Sequence, residues 1–104
     1  MPDRGAAKGR RVMNDLTEES RPTLARGVRL RTDPINGEPL LLFPEGFLSL
    51  DQAAHDILIR CTGKLTMGEI VGALSEEYDA DAAALRTDVA EYVTQLRREM
   101  LLTC

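Results

Sequence analysis

The sequence predicts an α+β fold in which a three-stranded antiparallel sheet is followed by three helices. Two patterns carry that expectation. Between residues 24 and 50, short apolar runs alternate with polar residues and are separated by turn signals. Between residues 51 and 102, apolar residues recur at helical spacing behind good capping residues. A third observation bounds the answer: 104 residues, 43% hydrophobic and 29% charged, suit one domain and leave no room for two ordinary ones. Aromatic residues make up only 4%, with no Trp, so the core must be mainly aliphatic.

The first strand is expected where Val28 and Leu30 alternate with Arg29 and Arg31. Asp33-Pro34-Ile35-Asn36-Gly37 follows, and its Asn-Gly pair is a strong turn signal. Leu40 to Phe43 is a continuous apolar run, short enough for a buried strand. Phe43-Pro44-Glu45-Gly46 fits a turn with Pro second and Gly fourth. The third strand runs from Phe47 to Leu50, with Leu48 and Leu50 on one face and Phe47 and Ser49 on the other. Connections this short imply antiparallel neighbours.

Asp51 is a suitable N-cap for a first helix bearing Ala54, Leu58 and Cys61, which Thr62-Gly63 should close. Thr66-Met67-Gly68-Glu69 is a capping box, and Met67, Ile70, Leu74 and Tyr78 continue the apolar face of the second helix. Asp81 can cap the third, whose stripe is Leu85, Val89, Tyr92 or Val93, Leu96 and Met100. A three-stranded sheet needs cover on one face, so the helices must supply it. The order is compatible with a winged-helix-like arrangement.

Residues 1–22 show no sustained period and read as a disordered leader or linker; residues 23–104 read as the folded domain. The chain carries a net charge of −4. The leader is slightly basic and the domain acidic, which argues against nucleic acid as the main partner. No run is long enough for a transmembrane helix, and no apolar region marks a secretory signal, so a cytoplasmic protein with no membrane partner is expected.

The inventory of chemistry is sparse. No phosphate-binding, dinucleotide-binding or zinc-binding motif is present, so no cofactor and no metal are expected. Cys61 and Cys104 are too few and too far apart to suggest a disulfide framework or a metal site. His55 lies one residue off the stripe of its helix, where a surface or boundary histidine is the simpler reading. Glu76-Glu77 and Asp79-Asp81 are better read as solvated surface and helix-end charge than as an acid–base pair. No catalytic residue is assigned and no enzyme is expected. A protein that works by holding another molecule is favoured. Phe47 to Leu50 carries neither Pro nor Lys, the usual edge blockers. As an edge strand it can accept an extended peptide by strand addition; as an interior strand it is only sheet.

The residues of this pattern resemble a known family. Arg21-Pro22 through Val28-Arg29-Leu30-Arg31, Leu41-Leu42-Phe43-Pro44-Glu45-Gly46 and Leu48-Ser49-Leu50-Asp51 look like the pyrroloquinoline quinone (PQQ) biosynthesis protein D family. So do Met67-Gly68-Glu69-Ile70-Val71, Leu74, Tyr78-Asp79, Asp88-Val89 and Leu96. The resemblance spans about residues 21–102 and rests on order and spacing, since no single motif is diagnostic.

It implies a peptide chaperone with a winged-helix-like recognition fold. Such a protein binds the ribosomal PQQ precursor peptide and presents it to a radical S-adenosylmethionine enzyme that joins a Glu and a Tyr within it. The peptide is then expected beside Phe47, Leu48, Ser49 and Leu50, with backbone groups of Leu48, Ser49 and Leu50 pairing. The facing helix carries Val89, Val93, Leu96 and Arg97. Tyr92 belongs to the groove or the core, and Arg97 meets a peptide carboxylate or is a solvated charge. Some relatives are joined in one chain to the pathway's C protein, so the leader can be a former linker or part of one in a fragment. The alternative from another class is a winged-helix DNA-binding regulator. The third helix is poorly charged for that role, since Asp81, Asp88, Glu91 and Glu99 outweigh Arg86, Arg97 and Arg98.

Overall fold

The computed structural model describes residues 16–104. Eight elements follow in order: β1 (Thr23–Leu24), β2 (Arg29–Thr32), β3 (Pro39–Phe43), β4 (Gly46–Ser49), α1 (Gln52–Leu58), α2 (Met67–Tyr78), α3 (Ala82–Arg98) and β5 (Leu102–Thr103). The expected three-stranded antiparallel sheet ahead of three helices is present, in the order β2-β3-β4. The β2–β3 loop is closed by its own side chains. Asp33 Oδ1 accepts from the Ile35 amide at 2.8 Å, Asn36 Oδ1 accepts from Glu38, and Gly37 takes the positive φ of 75°. Pro44-Glu45 makes the two-residue turn between β3 and β4.

Register fixes which side chains face the helices. Leu30, Leu41 and Leu48 stand opposite one another across the strands, and Leu41 is completely buried. The other face of the sheet carries Arg29 and Arg31 on β2, Leu40 and Leu42 on β3, and Phe47 and Ser49 on β4. The inner face packs on Ile70, Leu74, Val89, Val93 and Leu96, the apolar faces of α2 and α3.

The expected N-caps are all formed. Asp51 accepts from the Ala54 amide, Asp81 from the Ala84 amide, and Thr66 and Glu69 form the capping box. Three boundaries differ from expectation. Helix α1 ends at Leu58, short of Thr62-Gly63, because Arg60 and Cys61 donate to Ile57 and Leu58 in a tighter turn. Met100, expected in the α3 stripe, is 80% exposed with φ 65°. The Met100 amide bonds Arg97 O and the Leu101 amide bonds Leu96 O, a Schellman closure that turns the chain back so that Leu101 and Leu102 enter the core.

The third difference concerns the start of the domain. Residues 1–15 lie outside the described residues, but 16–22, read as leader, are tied to the domain. Met67 and Gly68 donate to Ser20 O and Glu18 O, Gly63 donates to Pro22 O, and Leu16 packs against the core. Glu18 also meets Arg86 at 2.5 Å. These bonds occupy the amides at the α2 N-terminus, which no helical partner can satisfy. Such anchoring leaves no apolar period to read. Nor did the sequence signal β1 and β5, two-residue strands that pair across the length of the domain through Thr23–Thr103 and Leu24–Leu102.

Candidate functional site

Among the described residues, strand β4 pairs only with β3, which leaves its second edge open. Hydrogen-bonding direction alternates along an antiparallel strand, and Leu50 N donates to Pro39 O at 3.0 Å. Leu48 and Gly46, two and four residues away, therefore also turn their backbone groups toward β3. Phe47 and Ser49 turn theirs to the open edge. Of the three residues expected to pair with a peptide, Ser49 thus turns its backbone groups to the open edge, as Phe47 does, whereas those of Leu48 and Leu50 face β3.

Burial raises the Tyr92 phenol above its usual pKa, and Asp51, Cys61 and Glu99 raise it further. Just past the end of α3, Glu99 and Met100 line a cavity together with Phe43, Pro44 and Glu45 at the β3–β4 turn. Leu48, on the inner face of β4, is 37% exposed. Tyr92, on α3, is half-buried.

The remaining expected contact residues divide clearly. Val89, Val93 and Leu96 are 1% exposed or less and belong to the core, where they hold α3 against the sheet and α2. Leu50 is likewise buried. Arg97 is half-buried, about 140° around the helix from Tyr92, on the flank shared with Arg86 and the Glu18 segment. Gln95 and Glu99 lie on the Tyr92 flank instead and are exposed. Sequence reasoning missed them because it followed the apolar stripe; turning 100° per residue away from that stripe would have found them.

Several titratable groups gather on helices α1 and α2. Asp56 is buried where α1 meets α2. Its Oδ2 accepts from the Tyr78 hydroxyl and its Oδ1 from Gln52 Nε2 at 2.9 Å. Arg60 donates to the Asp56 carbonyl and pairs with Glu77 at 3.0 Å, and His55 Nδ1 lies 3.8 Å from Oδ1. The Tyr78 bond lowers the Asp56 pKa below the usual 3.8 against the opposing effect of burial, with help from Gln52, Arg60 and His55. The same bond pushes Tyr78 up to about 12. Asp56 therefore contributes stability above its usual pKa that is lost as pH falls through the folded value. Tyr78 contributes stability below 10 that is lost as pH rises toward about 12. Tyr78→Phe is expected to raise the Asp56 pKa and move acid unfolding to higher pH. Carboxyl NMR titration and a pH melt check it, and an unmoved acid midpoint would contradict it. Cys61 is inert by the same logic: burial, then Cys104, pushes its thiol up to about 12. Among the described residues, no group of three or more His, Cys, Asp or Glu is placed to hold a metal ion, and no helix is long and apolar enough to cross a membrane.

Residues 38–102 match the family model for coenzyme PQQ synthesis protein D, PqqD. The chain belongs to the PqqD family. A PqqA binding protein of Xanthomonas axonopodis pv. citri is 38% identical over 90 residues, which cover 86% of this chain and 98% of that protein. Among solved PqqD structures, the solution NMR structure of the PqqD truncation of Methylobacterium extorquens PqqCD has a TM-score of 0.75 at 32% identity. The match covers 88% of this chain and 98% of that one, which is described as a functional, stand-alone recognition element for ribosomally synthesised and modified peptides. The crystal structure of PqqD from Xanthomonas campestris matches with a TM-score of 0.54 at 36% identity, covering 85% and 98%. The PqqD resemblance read from the strand and helix residues is therefore borne out, as is the α+β architecture.

Proposed function

We propose that this chain is a cytoplasmic, non-catalytic peptide chaperone of PQQ biosynthesis. It binds the ribosomal precursor peptide as a fourth strand on β4 and presents it to the pathway's radical S-adenosylmethionine enzyme for Glu–Tyr cross-linking. The observation that carries this reading is the open edge of β4 among the described residues, in a chain whose relatives are called PqqA binding proteins. Phe47 and Ser49 pair with the peptide backbone, Leu48 and Tyr92 contact its inward side chains, and Gln95 and Glu99 form the polar rim. Val89, Val93, Leu96 and Leu50 act indirectly by fixing the groove walls. The peptide-recognition domain includes the anchored segment 16–22, and residues ahead of it serve as leader or as a linker to the C protein in fused relatives.

The test is an NMR titration of labelled protein with synthetic precursor peptide. Amide shifts should concentrate at Phe47–Ser49 and on the Tyr92 flank of α3. Shifts confined to β2, or none at large peptide excess, would overturn the reading. Nothing in the site favours the DNA-binding alternative, and duplex DNA added to the same sample should leave the spectrum unchanged.

A further inference from the structure

The face of the sheet turned away from the helices carries a pattern that strand addition does not use. Arg29 and Arg31 stand about 6.6 Å apart along β2. Next to them come half-buried Leu40 and Leu42 and then Phe47, which is 61% exposed. Among the described residues, none of Leu40, Leu42 or Phe47 joins the hydrophobic core. A shallow cavity bounded by Arg29, Arg31, Leu42 and Pro44 lies on this face. Neither arginine takes part in an ion pair among the described residues, although the chain has 17 acidic against 13 basic side chains. Two cations without carboxylate partners beside an exposed aromatic ring, on an acidic protein, are complementary to carboxylates set next to an apolar side chain. Arginine and aromatic residues are also the types that anchor protein interfaces.

We infer that this outer face of β2-β3-β4 docks the enzyme that acts on the bound peptide, through an acidic patch with an apolar anchor on that enzyme. The inference rests on the strand-addition reading above and extends it. A peptide paired to β4 continues the same sheet, so every second peptide side chain joins Phe47 on this face. The docked enzyme then meets the carrier and alternate residues of its substrate on one surface. A membrane or nucleic acid is a poorer occupant, because two arginines on a chain of net charge −4 are a weak match for a lipid surface or phosphate backbone.

The experiment compares the wild type with the pair Arg29→Glu/Arg31→Glu and with the milder Arg29→Gln/Arg31→Gln. Both side chains are exposed, and a retained amide spectrum verifies the fold. Affinity for the pathway's radical S-adenosylmethionine enzyme is measured with and without precursor peptide at two salt concentrations; peptide affinity is measured separately. The expected result is a loss of enzyme affinity of about tenfold or more for the Glu pair and less for the Gln pair, with wild-type affinity falling as salt rises. Peptide affinity should stay within about twofold. Unchanged enzyme affinity in the folded Glu variant overturns the docking surface. So does a loss confined to binding of duplex DNA or of phosphatidylserine vesicles. Failure of the wild type to bind peptide would instead overturn the strand-addition reading, and the enzyme measurement without peptide judges the docking surface by itself.

Discussion

Ser49→Pro is expected to weaken binding of the precursor peptide by about tenfold or more while the domain remains folded. The Ser49 amide points to the open edge of β4, so proline removes no bond of the β3–β4 ladder. It removes a donor that an added strand needs and places a ring where that strand must lie. The preceding residue, Leu48, is already in a strand, the region that proline imposes on its predecessor. One unmade hydrogen bond is worth about 0.5–1.5 kcal/mol, and the ring's obstruction adds to it. Calorimetric titration with the peptide, alongside a thermal melt, checks the expectation. Leu48→Pro is the contrast: it removes a donor to β3 and should destabilise the hairpin itself. Full peptide affinity in a folded Ser49→Pro variant would show that the peptide does not pair with this edge.

The second large effect separates the proposed contact residues from the core that supports them. Leu96→Ala should lower stability by about 2–5 kcal/mol, the range for truncating a large buried aliphatic side chain. Leu96 is 1% exposed and sits among Val89, Val93 and Leu41 in the core. Denaturant melts read the loss. Peptide affinity, measured where the variant is still folded, should change by less than about threefold, because the side chain is buried in the core. An affinity loss without a stability loss would return Leu96 to the contact surface. Alanine is the informative replacement, since an aspartate at this position would put an unpaired charge in the core and unfold the domain.

The contrast between these two variants marks what pattern could and could not convey. Alternation from Val28 to Leu50 and the 3.6-residue stripes after Asp51 are local consequences of which face must be dry, so strands, helices and caps were legible. At the candidate site the same stripes pointed to residues that the fold buries. Val89, Val93 and Leu96 stood out because they are apolar at helical spacing, but that spacing marks a helix's buried face. A ligand meets its borders. Arg97 and Tyr92 both flank the stripe, and nothing local ranks one flank over the other.

Fold class, the order of the three-stranded sheet and the three helices, the N-capping residues and the absence of recognisable catalytic or metal-binding motifs follow from the chain alone, because each depends on neighbours a few residues apart. The open edge at Phe47 and Ser49, the Tyr92 flank of α3, the pairing of β1 with β5 and the anchoring of residues 16–22 required the assembled domain. Each joins segments tens of residues apart, and such contacts are selected by how whole elements pack, which a local periodicity does not encode.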